Sequence, residues 1–243
     1  MEYELFYWPE IQGRGEFIRL ALEDTGTAYD DVARGPRGVR AILRVLHGEG
    51  FEGAAPFAPP VLKHGALVIA QVANVLHYLA PKIGLAPADE AGQHRALQLQ
   101  LTITDLVAEV HDTHHPVSTS LYYEDQKPEA RRRATSFVKE RLPKFLGYFE
   151  GAIDRNGAGG HLVGDAVSYV DLSLFQVVEG LRYALPRAMA AVEPKVPRVV
   201  ALHDRVAARP NIAAYLASKR RLAFNENGIF RRYPELDFAP GEK

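Results

Sequence analysis

The hydrophobic pattern of this chain changes period once, near residue 83, and that change limits the fold more than any other feature. Before it, short apolar runs alternate with helical spacings. Glu2–Trp8 reads as a strand, and Phe17, Ile18, Ala21 and Leu22 put one apolar face on a helix. Thr27–Val32 reads as a second strand after the Thr25-Gly26 stop, and Val39, Ile42, Leu43 and Leu46 space a helix that ends at Gly48. Val61–Lys63 and Leu67–Ala70 are short strands around the turn Lys63-His64-Gly65-Ala66, and Val72–Ile83 closes the unit as a helix. The order βαβ–ββα predicts a small mixed sheet covered by helices.

After it, only helical signals remain. Ile83–Asp89 has little pattern and two flanking prolines, so the expected division is a first domain over 1–82, a linker over 83–91 and a helical domain over 92–243. Gly92–His111 and Pro128–Asp154 (with Pro143 inside) read as long helices, and Asn156–Gly160 as a loop. Pro197–Ala208 and Asn211–Ala223 are two more helices, divided at Arg209-Pro210. Ser168-Tyr169-Val170-Asp171 before the apolar run Leu172–Val178 is a capping box, worth ~1 kcal/mol at a helix start.

Composition narrows the chemistry. The 243 residues carry a formal net charge of −1, so no global field draws nucleic acid or anionic lipid. The runs Arg131-Arg132-Arg133 and Lys219-Arg220-Arg221 read as solvated helix faces. With 0 cysteines the chain has no disulfide, cysteine nucleophile, redox pair or thiolate metal site, so any sulfur chemistry uses a thiol brought by a ligand. No apolar stretch approaches the ~20 residues that span a bilayer, and no signal-like segment opens the sequence. A soluble, cytoplasmic protein without membrane contact is expected.

Tyr7 ends the first strand just before Gln12-Gly13-Arg14-Gly15, which opens a helix. A phenol beside the positive end of a helix suits an anion such as a thiolate; the alternative is an aromatic packed in the core. Phe57-Ala58-Pro59-Pro60-Val61-Leu62 precedes the strand pair, and Pro60 there suggests a cis peptide whose neighbours' backbone can pair with an extended peptide. Gln71 and Val72 open the next helix, whose free amides favour a carboxylate. His111 and His115 have i, i+4 spacing. Without an H-E-x-x-H arrangement, and with Pro116 ending the helix, we read no metal site there.

Taken together, Tyr7 in Leu5-Phe6-Tyr7-Trp8-Pro9, Gly13-Arg14-Gly15 with Ile18-Arg19-Leu20, Pro60 with Gly65 and Gln71, and Val163-Gly164-Asp165 with Ser168–Asp171 resemble the cytosolic glutathione transferases. The match is to their tyrosine-type members, such as the pi and sigma classes, and runs over residues 2–223. The resemblance implies a thioredoxin-like α/β N-terminal domain that binds glutathione and an all-α C-terminal domain that supplies most of a second-substrate pocket. It also implies glutathione as co-substrate, no metal, a homodimer and a detoxifying role. By position Tyr7 matches the phenol that holds the glutathione thiolate, and Arg14 an arginine that supports it or pairs between domains. Pro59, Pro60 and Val61 match the segment that pairs with the cysteinyl part. Gln71 and Val72 match the γ-glutamyl site, and Asp105 an acid given by the other subunit. Trp8, Pro9, Ile11, His111 and His115 match the electrophile pocket, where His115 would donate a hydrogen bond or act as general acid, or else face the helix macrodipole. The tail 224–243 packs back on its domain or covers that pocket.

Two departures bear on affinity. Val72 stands where the family usually has a hydroxyl, and Pro59 has no N–H to give. Two lost hydrogen bonds cost about 1–3 kcal/mol, roughly tenfold to a hundredfold. The expected function is conjugation of glutathione to a hydrophobic electrophile. The alternatives are a glutathione-dependent isomerase or peroxidase, and a weakly catalytic scaffold that binds ligands or proteins.

Overall fold

Strand β1 (Tyr3–Phe6) pairs parallel with β2 (Tyr29–Asp31) and antiparallel with β3 (Val61–His64), which pairs antiparallel with β4 (Leu67–Ala70). The four-stranded order is therefore β2-β1-β3-β4. This computed structural model describes residues 2–157 and 159–238; Met1, Ala158 in the expected loop and residues 239–243 of the expected tail lie outside the described residues. The period-2 pattern of β1 sorts its side chains. Tyr3 and Leu5 join one core with α1 (Gly15–Asp24) and α3 (Val72–Ile83), while Phe6 joins another with α2 (Gly38–Leu46). The mixed sheet and its three helices are the thioredoxin-like unit the sequence implied.

The larger core continues from α1 and α3 into the helical half without a break. There, α4 (Glu90–Asp112), α5 (Lys127–Ser136), α6 (Leu142–Asn156), α7 (Tyr169–Ala184), α8 (Pro186–Val192), α9 (Pro197–Ala207) and α10 (Pro210–Leu216) follow in order. Buried α7 forms the axis of this half. Its start is fixed by Asp171, which accepts from the Ser168 N–H at 2.7 Å, the Ser168 hydroxyl at 2.9 Å and the Leu162 N–H at 2.8 Å. Ion pairs join the halves as well: Asp24 with Arg209, Glu23 with Arg220 and Glu16 with Arg221.

Several local expectations are corrected. The expected Pro128–Asp154 helix is interrupted by a π turn over Phe137–Arg141 just before Pro143, whose missing N–H cannot continue the regular ladder. The helix expected over Asn211–Ala223 stops at Leu216. Beyond it the chain turns so that Arg220 and Arg221 reach back to acids on α1, and Arg221 is buried rather than solvated. The helix carrying His111 ends at Asp112, so His115 lies past it in irregular backbone. Strand β3 is interior, paired on both sides, and the cis peptide lies just ahead of its first residue, Val61.

Candidate functional site

Tyr7 leaves β1 directly beneath the turn that starts α1. Its side chain is 4% exposed, and its hydroxyl oxygen accepts the Arg14 backbone N–H at 2.8 Å. The ring fits only because Gly13 and Gly15 carry no side chains. A Cβ on Gly13 would lie 2.1 Å from the Tyr7 hydroxyl, and one on Gly15 2.6 Å from the ring. Gly13 also holds φ at +47°, a conformation that L side chains rarely adopt. Burial pushes the Tyr7 hydroxyl upward, against the Arg14 amide and the charges of Arg14 and Arg19. It therefore keeps its proton near neutral pH. With the oxygen already accepting from Arg14, that proton is free to be donated.

A buried ionic group supports the turn from below. The Arg19 guanidinium lies 5.7 Å from the Tyr7 ring centroid and is fully buried. It donates to Asp31 at 2.7 Å and pairs with Glu16 at 3.3 Å. Glu16 also accepts from the Tyr215 hydroxyl and from Arg221, each at 2.6 Å. Burial alone would raise the Glu16 carboxyl; Arg221, Arg19 and the Tyr215 hydrogen bond together hold it below its ordinary range. Every charge in the group has a partner, as buried ions require.

The peptide between Pro59 and Pro60 is cis and lies just before β3. Val61 buries its side chain on the α2 side of the sheet, so it offers none to a ligand. Gln71 is exposed and, among the described residues, is the only non-glycine residue with positive φ, at 70°. Strain of this kind concentrates at binding sites. Gln71 also precedes the free amides of α3, whose first helical bond runs from the Val75 N–H to the Gln71 carbonyl at 2.8 Å. Arg14, Gln71 and Val72 share one small cleft, about 30 Å³, with Gln100, Thr104 and Val107 of α4. Asp105, exposed on α4, does not line this cleft. Sequence reasoning passed over Gln100, which sits mid-helix with no motif around it.

The expected electrophile side converges on the chain's tail. Pro9 and Ile11 are half-buried beside the cleft-forming turn, whereas Trp8 packs partly against the α2 side of the sheet. Asn225 donates to the Glu10 carbonyl at 3.0 Å. Phe230 is buried against α7, where a Cβ on Gly180 would fall 2.3 Å from its ring. Phe224 stacks on Tyr183 at 5.1 Å and Tyr233 on Tyr123 at 3.7 Å. Thus the described part of the tail packs back onto its own domain while bridging to residue 10.

His111, His114 and His115 form a cluster under this strap. His114 is 1% exposed and burial lowers it to about 3, so it is neutral. Its Nε2 must donate to the Ile229 carbonyl at 2.8 Å, which makes its Nδ1 an acceptor. His115 Nδ1, 2.6 Å away, is then the donor, leaving His115 Nε2 without a proton. Burial and Arg231 also lower His115, so in this tautomer Nε2 accepts rather than donates. The donor or acid role expected of His115 requires a protonation that its surroundings oppose. Burial and then the Arg14 charge lower His111 as well. Among the described residues no group of three or more His, Asp or Glu is placed to hold a metal, and no helix is long and apolar enough to cross a membrane.

Comparison with known proteins bears on the family and the fold. A family profile described as "Glutathione S-transferase, C-terminal domain" matches residues 111–219. The "Glutathione S-transferase P" of Caenorhabditis elegans is 30% identical over 236 residues, covering 93% of this chain and 96% of that protein. Among solved structures, the Pi-class glutathione S-transferase of Onchocerca volvulus superposes with a TM-score of 0.72 at 23% identity, over 94% of this chain and 99% of that one. Prostaglandin synthase D of Nilaparvata lugens gives 0.70 at 20% identity, over 92% and 100%. The last two likenesses establish the shared fold.

Proposed function

This chain belongs to the glutathione S-transferase family, and we propose that it conjugates glutathione to a hydrophobic electrophile, with Tyr7 holding the thiolate. The observation that carries the role of Tyr7 is the 2.8 Å hydrogen bond from the Arg14 amide, which fixes the phenol and leaves its proton to be donated. A free thiol has a pKa of about 8.5, and each unit of depression takes ~1.4 kcal/mol. One charge-assisted hydrogen bond supplies ~1.5–3 kcal/mol. Arg14 adds positive charge at the rim of the cleft, while Gln71 and the start of α3 suit the γ-glutamyl carboxylate. A glutathione titration with an aryl-halide conjugation assay tests this reading. Neither binding nor turnover at millimolar glutathione would reject it.

The proposed active unit is a homodimer in which Asp105 serves the partner's glutathione. Asp105 supports this by being exposed on α4, one turn from Leu101, which is 50% exposed; Phe57, before the cis peptide, is 95% exposed. Sedimentation would show the dimer, and Asp105→Asn would weaken glutathione binding without changing the mass observed. We place the activity in the cytoplasm, with a detoxifying role.

A binding scaffold with little catalysis is the second reading, favoured by Pro59, which lacks an N–H, and by Val72, which lacks a hydroxyl. Retention on immobilised glutathione without conjugation would select it.

A further inference from the structure

Gln100 has a conspicuous defect. It is 1% exposed, yet its Oε1 is buried with no hydrogen-bond partner, and its carboxamide makes no hydrogen bond to any described residue. Buried polar groups in folded proteins are almost always paired, and an orphan weakens folding. The amide lines the cleft that also holds Arg14, Gln71 and Val72. It therefore stands across from a helix start whose first amides lack helical acceptors, beside the one position where a hydroxyl is missing.

We propose that Gln100 is a glutathione-binding residue, supplying from the same subunit the donor that Val72 lacks. This rests on the glutathione reading above. The γ-glutamyl end carries a carboxylate and an ammonium on one carbon. A carboxamide matches both, its Nε2 donating to the carboxylate and its Oε1 accepting from the ammonium. Either rotamer of the amide serves, because a half-turn exchanges the two ends. The orphan atom in the ligand-free protein is then half of a pair completed on binding. Arg14 and the α3 start bias the carboxylate toward this wall of the cleft.

The test uses Gln100→Leu, which keeps the volume and removes both polar ends. Without ligand, its thermal midpoint should equal or exceed that of the parent protein, since a buried orphan is gone. Calorimetric titration should show glutathione binding weakened about tenfold or more. Adding Val72→Ser to this variant should recover part of the loss. The parent should also bind glutathione more tightly than its analogue lacking the γ-glutamyl α-carboxylate, and Gln100→Leu should narrow that preference. Unchanged glutathione affinity in Gln100→Leu, or a clear loss of thermal stability with the analogue preference intact, overturns the proposal and makes Gln100 a structural residue. If the parent itself takes no glutathione at millimolar concentration, the functional reading falls and this proposal with it.

Discussion

The backbone amide of Arg14 donates to the hydroxyl of Tyr7 across 2.8 Å, so the first turn of α1 and the end of β1 are joined through the candidate catalytic atom itself. A phenol held this way is oriented before any ligand arrives. Preorganised donors of this kind lose little on reorganisation when charge develops nearby. The two glycines that flank Arg14 are what admit the ring.

Gly15→Ala should therefore act on Tyr7 at a distance in sequence but at contact in space. Its Cβ would fall 2.6 Å from the ring, and relief requires the phenol or the turn to move. Overpacking of this sort costs about 1–3 kcal/mol. Urea unfolding should show that loss, and conjugation turnover should fall with it. Retained turnover would mean that the ring position is not critical.

Arg19 is the central cation of a buried group containing Glu16 and Asp31. Arg19→Leu removes the fully buried cation between Glu16 and Asp31. Glu16 keeps Arg221 and Asp31 keeps Arg34 at 3.1 Å, so the cost is that of lost charge-assisted hydrogen bonds, about 1.5–3 kcal/mol. Equilibrium unfolding should register it, with both halves melting together because Glu16 also binds Tyr215 and Arg221.

Gly180 admits the ring of Phe230 to the surface of α7. Gly180→Ala should evict that ring and loosen the strap over residues 224–238. Limited proteolysis should then cut near Phe230 faster, while near-ultraviolet circular dichroism loses aromatic signal. An unchanged digestion pattern would show that the tail is anchored elsewhere, through Tyr233 and Tyr123.

His114 predicts an acid sensitivity. Its folded pKa is lowered to about 3 by burial, with Arg231, His111 and His115 adding to the effect against the Ile229 hydrogen bond, while the unfolded value is about 6.5. Between those values the unfolded chain binds the proton and the folded one does not. Stability from this group is thus complete above about pH 6.5 and declines as pH falls toward about 3. His114→Gln should flatten the fall in stability across that window relative to the parent protein.

Features encoded by neighbours in sequence were the legible ones. The change of period near residue 83, the Ser168–Asp171 cap and the cis peptide before Val61 each depend on a few adjacent residues, and each is present. Tyr7 was legible as a strand-end phenol, but its tie to the Arg14 amide needed the fold. Arg221 was misread as solvated because its partner, Glu16, lies in the other half of the chain. Gln100 escaped notice for a related reason: a lone amide on an amphipathic helix says nothing until the cleft beside it is seen. The end of α10 was missed because the residues after it are good helix formers. There the chain turns instead, and Arg221 pairs with the buried Glu16 of α1.

The direct test of the central claim is the pKa of the glutathione thiol bound to the protein, read from thiolate ultraviolet absorbance in parent and Tyr7→Phe forms. If Tyr7 holds the anion, the bound thiol titrates at least one unit below its free value of about 8.5. In Tyr7→Phe it should return toward that value, and turnover should drop about 10²-fold. A bound thiol that titrates identically in both proteins would contradict the account.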